Sequence, residues 1–265
     1  MRSLNQFVVI LTMFLLLLVS CSEDKGTNFQ NQIPDNAVEF QSADQAADFG
    51  LIVLDGVAEL AESGRSYLDT GQNPVQFAKP ATPQDTINTY YDAETGWWIS
   101  EGSFQMSQEG NSFFSEFYNR YQFKKDGEIQ KFPENADEMH TIMDINGVYD
   151  YTYNEYTYDM DMQYNMDLIY TNLQSAAIII NGEGFYDYLI KVEGPEGEQT
   201  YRYYFNFIFE DLSSPEDGYP TGKLAMKTKR WSVTIEFDGT STATLSVFDN
   251  GEKAITKMVN LDEDV

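Results

Sequence analysis

The spacing of apolar residues changes character along this chain. Near the N-terminus, Phe7 to Val19 run almost unbroken, with Thr12 the single interruption. From Ser42 the period is helical: Phe49, Ile52, Val53, Val57, Leu60 and Ala61 recur at three- and four-residue steps. Ser42 supplies an N-cap, Gln45 its capping-box partner, and Gly64 ends the run. Residues 69–95 contain Pro74, Pro80 and Pro83 and read as a connecting loop, with a short helical turn near Asp85–Tyr91.

From Trp97 onward the period is two. Phe113, Phe117, Tyr121 and Phe123 alternate with polar residues, and Asp126-Gly127 supplies a hairpin turn. Tyr149, Tyr151 and Tyr153 occupy odd positions, whereas Tyr156, Tyr158, Met160, Met162, Tyr164, Met166 and Leu168 occupy even ones. A strand running straight through would keep one parity, so the change predicts a two-residue hairpin at Asn154-Glu155. Later strands carry Ile178, Ile180, Tyr186, Tyr188, Ile190 and Val192, and then Tyr201, Tyr203, Phe205, Phe207 and Phe209. The last pass through Trp231, Val233, Ile235 and Phe237, and through Ala243, Leu245 and Val247. Turn chemistry separates them at Gly194-Pro195-Glu196-Gly197, Asp238-Gly239 and Asn250-Gly251.

The pattern predicts a mainly β fold: about ten antiparallel strands in a curved sheet or open barrel, with one N-terminal helix packed on it. It divides the chain into a leader (1–20), a polar tether (21–41) and a single helix-plus-β-meander domain (42–265). This order of elements resembles the open half-barrels of periplasmic lipoprotein carriers, and the resemblance implies an apolar-ligand site between sheet and helix.

The leader is too short to span a membrane. Thirteen helical residues rise about 20 Å, against a hydrocarbon core of about 30 Å. With Arg2 as a basic start, it has signal-peptide architecture. Leu18, Ser20 and Cys21 resemble the cleavage box of bacterial lipoprotein precursors, with an aliphatic residue three before the cysteine and a small one just before it. The resemblance implies that Cys21 becomes the acylated N-terminus, and two or more acyl chains anchor a protein stably. It also implies the outer membrane, because Ser22 is not the aspartate associated with inner-membrane retention. Ser22-Glu23-Asp24 is similar to the acidic export signal of surface lipoproteins in Bacteroidetes-like bacteria and equally fits a solvated linker, so the periplasmic or surface side stays open.

Charge narrows the partners. The chain has 16 basic and 43 acidic residues, a net charge of −27. Such a chain repels nucleic acid and anionic headgroups, so no nucleic-acid partner is expected. Cys21 is the only cysteine, so no disulfide braces the domain.

The most distinctive candidate site is an aromatic and methionine stripe. Tyr158, Met160, Met162, Tyr164 and Met166 share one face, and Tyr203, Phe205 and Phe207 extend it from a neighbouring strand. Methionine adapts to flexible apolar ligands, and the competing reading is plain core between sheet and helix. Asp159, Asp161, Gln163, Asn165 and Asp167 lie on the opposite face. Strand residues two apart are separated by about 6.6 Å, too far to chelate Ca²⁺ at about 2.4 Å, so they read as a solvated acidic face. His140 is the only histidine, which leaves histidine triads and most zinc sites without their parts. Trp97 and Trp98 must face opposite sides of a strand.

The expected function is therefore a non-enzymatic, outer-membrane-anchored lipoprotein without cofactor, binding an apolar or amphipathic ligand such as a lipid on the aromatic/Met face. The alternative is a cell-surface structural or interaction protein with a solid core, contacting an envelope protein or a glycan.

Overall fold

Alternating apolar and polar side chains build a 12-stranded antiparallel sheet. The structure, a computed structural model, describes residues 33–51, 53–54, 86–108, 111–153, 155–215 and 218–262. The leader, Cys21, most of the tether, and the expected helix positions Ile52, Val57, Leu60, Ala61 and Gly64 lie outside the described residues.

The strands are β1 (Thr86–Asp92), β2 (Trp97–Gln108), β3 (Asn111–Lys125), β4 (Glu128–Gln130), β5 (Glu138–Tyr153) and β6 (Tyr156–Thr171). They continue as β7 (Ala177–Gly194), β8 (Gly197–Pro215), β9 (Thr221–Lys227), β10 (Trp231–Asp238), β11 (Thr242–Asp249) and β12 (Glu252–Asn260). Spatial order follows chain order from β1 to β12, with short β4 paired only to β3. The sheet is curved but does not close into a barrel.

The parity change is a hairpin: Tyr153 at the end of β5 pairs with Tyr156 at the start of β6. At two other turns, Asp126-Gly127 (φ 52° and 81°) and Asn250-Gly251 (φ 49° and 87°), both residues take the positive φ that tight hairpins require. β1 stands where a short helical turn near Asp85–Tyr91 is expected, and residues 69–85 of the expected loop lie outside the described residues. The hydroxyls of β1 meet those of β2 at Thr86–Ser103 (2.9 Å) and Thr89–Ser100 (3.0 Å), and Tyr91 packs on Trp98 with ring centroids 5.4 Å apart. The prolines that suggested a loop all precede this strand. β9 is a second strand that the sequence pattern did not single out.

The helix, α1 (residues 43–51 and 53–54), starts where its capping chemistry predicts. Gln45 N donates to Ser42 Oγ (3.2 Å), and Gln41 N donates to Gln45 Oε1 (2.9 Å). Ala46, Ala47 and Leu54 are buried in the main core. Phe49 stacks on Phe205 of β8, with centroids 4.4 Å apart and planes at 21°. Gly50 permits this close seat: a Cβ there would lie 2.9 Å from Val233 Cγ1 and 3.1 Å from Leu245 Cδ1.

Unequal strand lengths open a notch beside β8. β8 has 19 residues and β9 only 7, and their pairing begins at Asn206. Residues 33–40 cross the sheet at this notch. Ile33 and Ala37 pack on Phe185 and Tyr204, Val38 N donates to the Arg202 carbonyl (2.6 Å), and Phe40 meets Phe49 and Phe205. Neighbouring strand residues face opposite sides, so Tyr204 and Phe205 fix the passage from one face to the other. Glu39 accepts from Thr228 Oγ1 (2.6 Å) and Lys229 N (2.9 Å), and Trp231 Nε1 donates to the Phe40 carbonyl (2.7 Å). The end of the expected tether is thus a docked part of the fold.

Replacing Gly50 by valine should destabilise the protein by about 1–3 kcal/mol in urea unfolding, because the new side chain overpacks the helix–sheet contact. An unchanged midpoint would mean that α1 does not seat on β10 and β11 through this residue.

Candidate functional site

The candidate stripe forms one face, as its alternation predicts, but its members have different surroundings. Tyr164, Met166, Phe205 and Phe207 belong to the main core, where Met166 is 1% exposed and Phe205 7%. Tyr164 packs on Tyr186 at 4.6 Å, and Phe207 meets the same ring edge-on at 4.9 Å. Met160 is buried in a smaller cluster with Tyr151 and Ile190, against which Tyr158 and Tyr203 pack. Tyr158 lies flat on Tyr151, centroids 4.3 Å apart and planes at 2°. Tyr203 touches both clusters. Met162 is buried, and its Cε lies 3.0 Å from where a Cβ on Gly147 would stand. Around Phe205 the helix side is therefore filled by Phe40 and Phe49.

The sheet face away from α1 carries an open groove of about 360 Å³. Its floor is built by strand register. Phe114, Val148, Asp161, Leu189 and Arg202 form a cross-strand row, each paired with the next across β3, β5, β6, β7 and β8. Glu116, Asn146, Gln163 and Asp187 form the adjacent row, which continues to Tyr204. Phe114 and Val148 are each 39% exposed, a high value for large apolar side chains. The signal for these residues was faint: they are apolar exceptions on the polar phase of three different strands, and only register makes them neighbours.

Two paired charges close one end of the groove. Arg202 grips Asp187 with both arms, Nε to Oδ1 at 2.8 Å and Nη2 to Oδ2 at 2.5 Å, and this bonding raises the Arg202 pKa. Such forked pairs hold a fixed geometry. Asp161 and Glu116 have no lysine or arginine at ion-pair distance among the described residues. Next to the groove, the segment 33–37 covers Tyr204, whose side chain is 3% exposed and whose hydroxyl has no hydrogen-bond partner among the described residues.

A second polar group lies further along the same face. His140 Nε2 and Asp167 Oδ1 are 2.6 Å apart, Trp97 packs edge-on against the imidazole at 5.0 Å, and Arg120 lies 5.6 Å from the Trp97 ring centre. Burial, with Asp167 nearby, raises the pKa of Glu183. Trp98 faces the other way, into the core, and donates to the Lys131 carbonyl at 2.5 Å. Asp159 pairs with Lys191 at 3.2 Å, so the acidic face is partly neutralised. Among the described residues no group of three or more His, Cys, Asp or Glu is arranged to hold a metal ion, and no helix is long and apolar enough to cross a membrane.

No family model, curated protein or solved structure matches this chain.

Tyr204 yields a test of this geometry. Burial pushes its hydroxyl up to about 12, whereas an unfolded tyrosine ionises near 10. Its contribution to stability is therefore complete below pH 10 and is lost as pH rises from about 10 toward about 12. Tyr204→Phe should leave stability at pH 7 unchanged or raise it by about 1 kcal/mol, because it removes an unsatisfied buried hydroxyl. It should also flatten the alkaline loss measured by urea unfolding between pH 9 and 11. A large loss at pH 7 would mean that the hydroxyl has a partner.

Proposed function

We propose that this protein is a non-enzymatic lipoprotein, anchored in the outer membrane through acylated Cys21, that contacts an envelope protein or a glycan with the sheet face away from α1. One observation carries the reading: Phe40 and Phe49 fill the helix side at Phe205, while the groove bearing Phe114 and Val148 is open. Exposed apolar residues within a polar surround are a common mark of interaction surfaces. The anchor fits this arrangement. Ile33 lies on the groove side of the sheet, and the twelve residues from Cys21 to Ile33 reach at most about 40 Å. The single histidine is engaged with Asp167, and the nearby Glu183 is the cross-strand partner of that same carboxylate.

A second reading keeps an apolar or amphipathic ligand on the stripe itself. The ladder Tyr149–Tyr151–Tyr158 favours it, because stacked tyrosines combine an apolar body with a polar tip, and Tyr158 and Tyr203 are only half-buried.

Native mass spectrometry of the protein purified in mild detergent, followed by organic extraction, separates the two. The interaction reading predicts the acylated protein mass with no additional bound lipid. A stoichiometric extracted lipid, released in parallel with loss of Tyr158–Tyr151 packing in Met160→Ala, would support the apolar-ligand reading instead.

A further inference from the structure

The groove on the far face combines exposed apolar side chains with carboxylates that make no direct ion pair among the described residues, Lys191 reaching Asp161 only through its field while bonded to Asp159. Within one cross-strand row, Asp161 stands between Val148 and Leu189, and Phe114 lies beyond Val148. Glu116, in the adjacent row, adds a second carboxylate without an ion pair among the described residues. The only cation lining the groove among the described residues, Arg202, is already held by Asp187. An approaching ligand therefore meets apolar surface and only partly compensated negative charge in the same depression.

A neutral sugar would use the amides of Asn146 and Gln163 but would leave Asp161 and Glu116 without charge partners. An acyl chain would bury Asp161 unpaired, which is costly. A lysine or arginine side chain meets both demands: its methylene stem lies along Val148 and Leu189 while its charged end reaches Asp161. Leucine-like neighbours would then cover Phe114. The net charge of −27 adds long-range attraction for a cationic partner.

We propose that the groove binds a short basic segment of a partner polypeptide, with lysine or arginine on Asp161 and Glu116 and apolar side chains against Phe114, Val148 and Leu189. This rests on the reading of the protein as an anchored interaction protein and adds the chemistry of the partner.

The segment 33–38 gives the groove a firm end. Val38 N holds the Arg202 carbonyl and Ile33 and Ala37 cover Tyr204, so Arg202 and Asp187 are braced from the backbone side. The groove is thereby preformed on sheet and strap, which limits the ordering cost of binding.

Fluorescence anisotropy with a dye-labelled octapeptide of alternating lysine and leucine, added to the full protein in detergent, tests the proposal. Binding should weaken at least about tenfold in the double variant Glu116→Gln/Asp161→Asn and about fivefold in Val148→Ser. Glu236→Gln/Glu252→Gln removes the same charge from β10 and β12 and should change binding less than about twofold. All five positions are on the surface, and unchanged urea midpoints would confirm intact folds. Equal weakening by both double variants would overturn the proposal, since net charge alone would then account for binding. So would equal affinity for a glutamate–leucine octapeptide, or no binding at low salt. Binding of a neutral hexasaccharide that is lost in Val148→Ser, with no peptide binding, would overturn the basic-segment inference while leaving the interaction reading intact. Co-purified lipid with neither peptide nor sugar bound would overturn both.

Discussion

The stack of Phe49 on Phe205 settles what the rest of the sheet can do. A twelve-stranded meander has two faces, and a strand's side chains alternate between them. By seating α1 on the even-parity face of β6 and the odd-parity face of β8, this contact makes one side the core. Gly50 brings the helix backbone onto Val233 and Leu245, and the Trp231 indole holds the carbonyl of Phe40 at the point where the chain enters the helix side. Once that side is occupied, the polar side with its few misplaced apolar residues becomes the surface available for contact.

The long central strands create the second constraint. β8 outruns β9, and the exposed edge before Asn206 would invite pairing with another chain. Residues 33–40 occupy part of it: Val38 bonds to Arg202, and Glu39 ties the same segment to Thr228 and Lys229 at the β9–β10 turn. The device links three things that are far apart in sequence: the approach to the anchor, the edge of the sheet and one end of the groove. An arginine whose carbonyl is held by the strap and whose guanidinium is held by Asp187 has little freedom left, which suits a preformed surface.

Much of this was legible in the sequence, for identifiable reasons. The parity change between Tyr153 and Tyr156 marks a hairpin because one buried face forces each strand to keep its phase. Ser42 and Gln45 mark the helix start because capping is local chemistry. β1 was hidden because the prolines before it dominate the segment and none of its own seven residues is fully buried. The docked strap was hidden because Glu39 and Phe40 find their partners at Thr228, Lys229 and Trp231, and composition alone reads residues 33–41 as tether. The stripe from Tyr158 to Phe207 was legible as a face, but alternation does not say what stands opposite. The filling of its Phe205 end by Phe40 and Phe49 is a tertiary fact. The groove was the least legible, since Phe114, Val148 and Leu189 become neighbours only through the register of β3, β5, β6 and β7.

The account's central claim is that the face away from α1 makes the functional contact while the helix side remains core. Hydroxyl-radical footprinting compares side-chain accessibility in isolated native membranes with that of the purified protein, residue by residue. The account predicts protection of Phe114 and Leu189 in the membranes, with Tyr158 and Met160 oxidised to the same extent in both samples. Protection of Tyr158 and Met160 with Phe114 unchanged would contradict it and assign the contact to the aromatic/Met face.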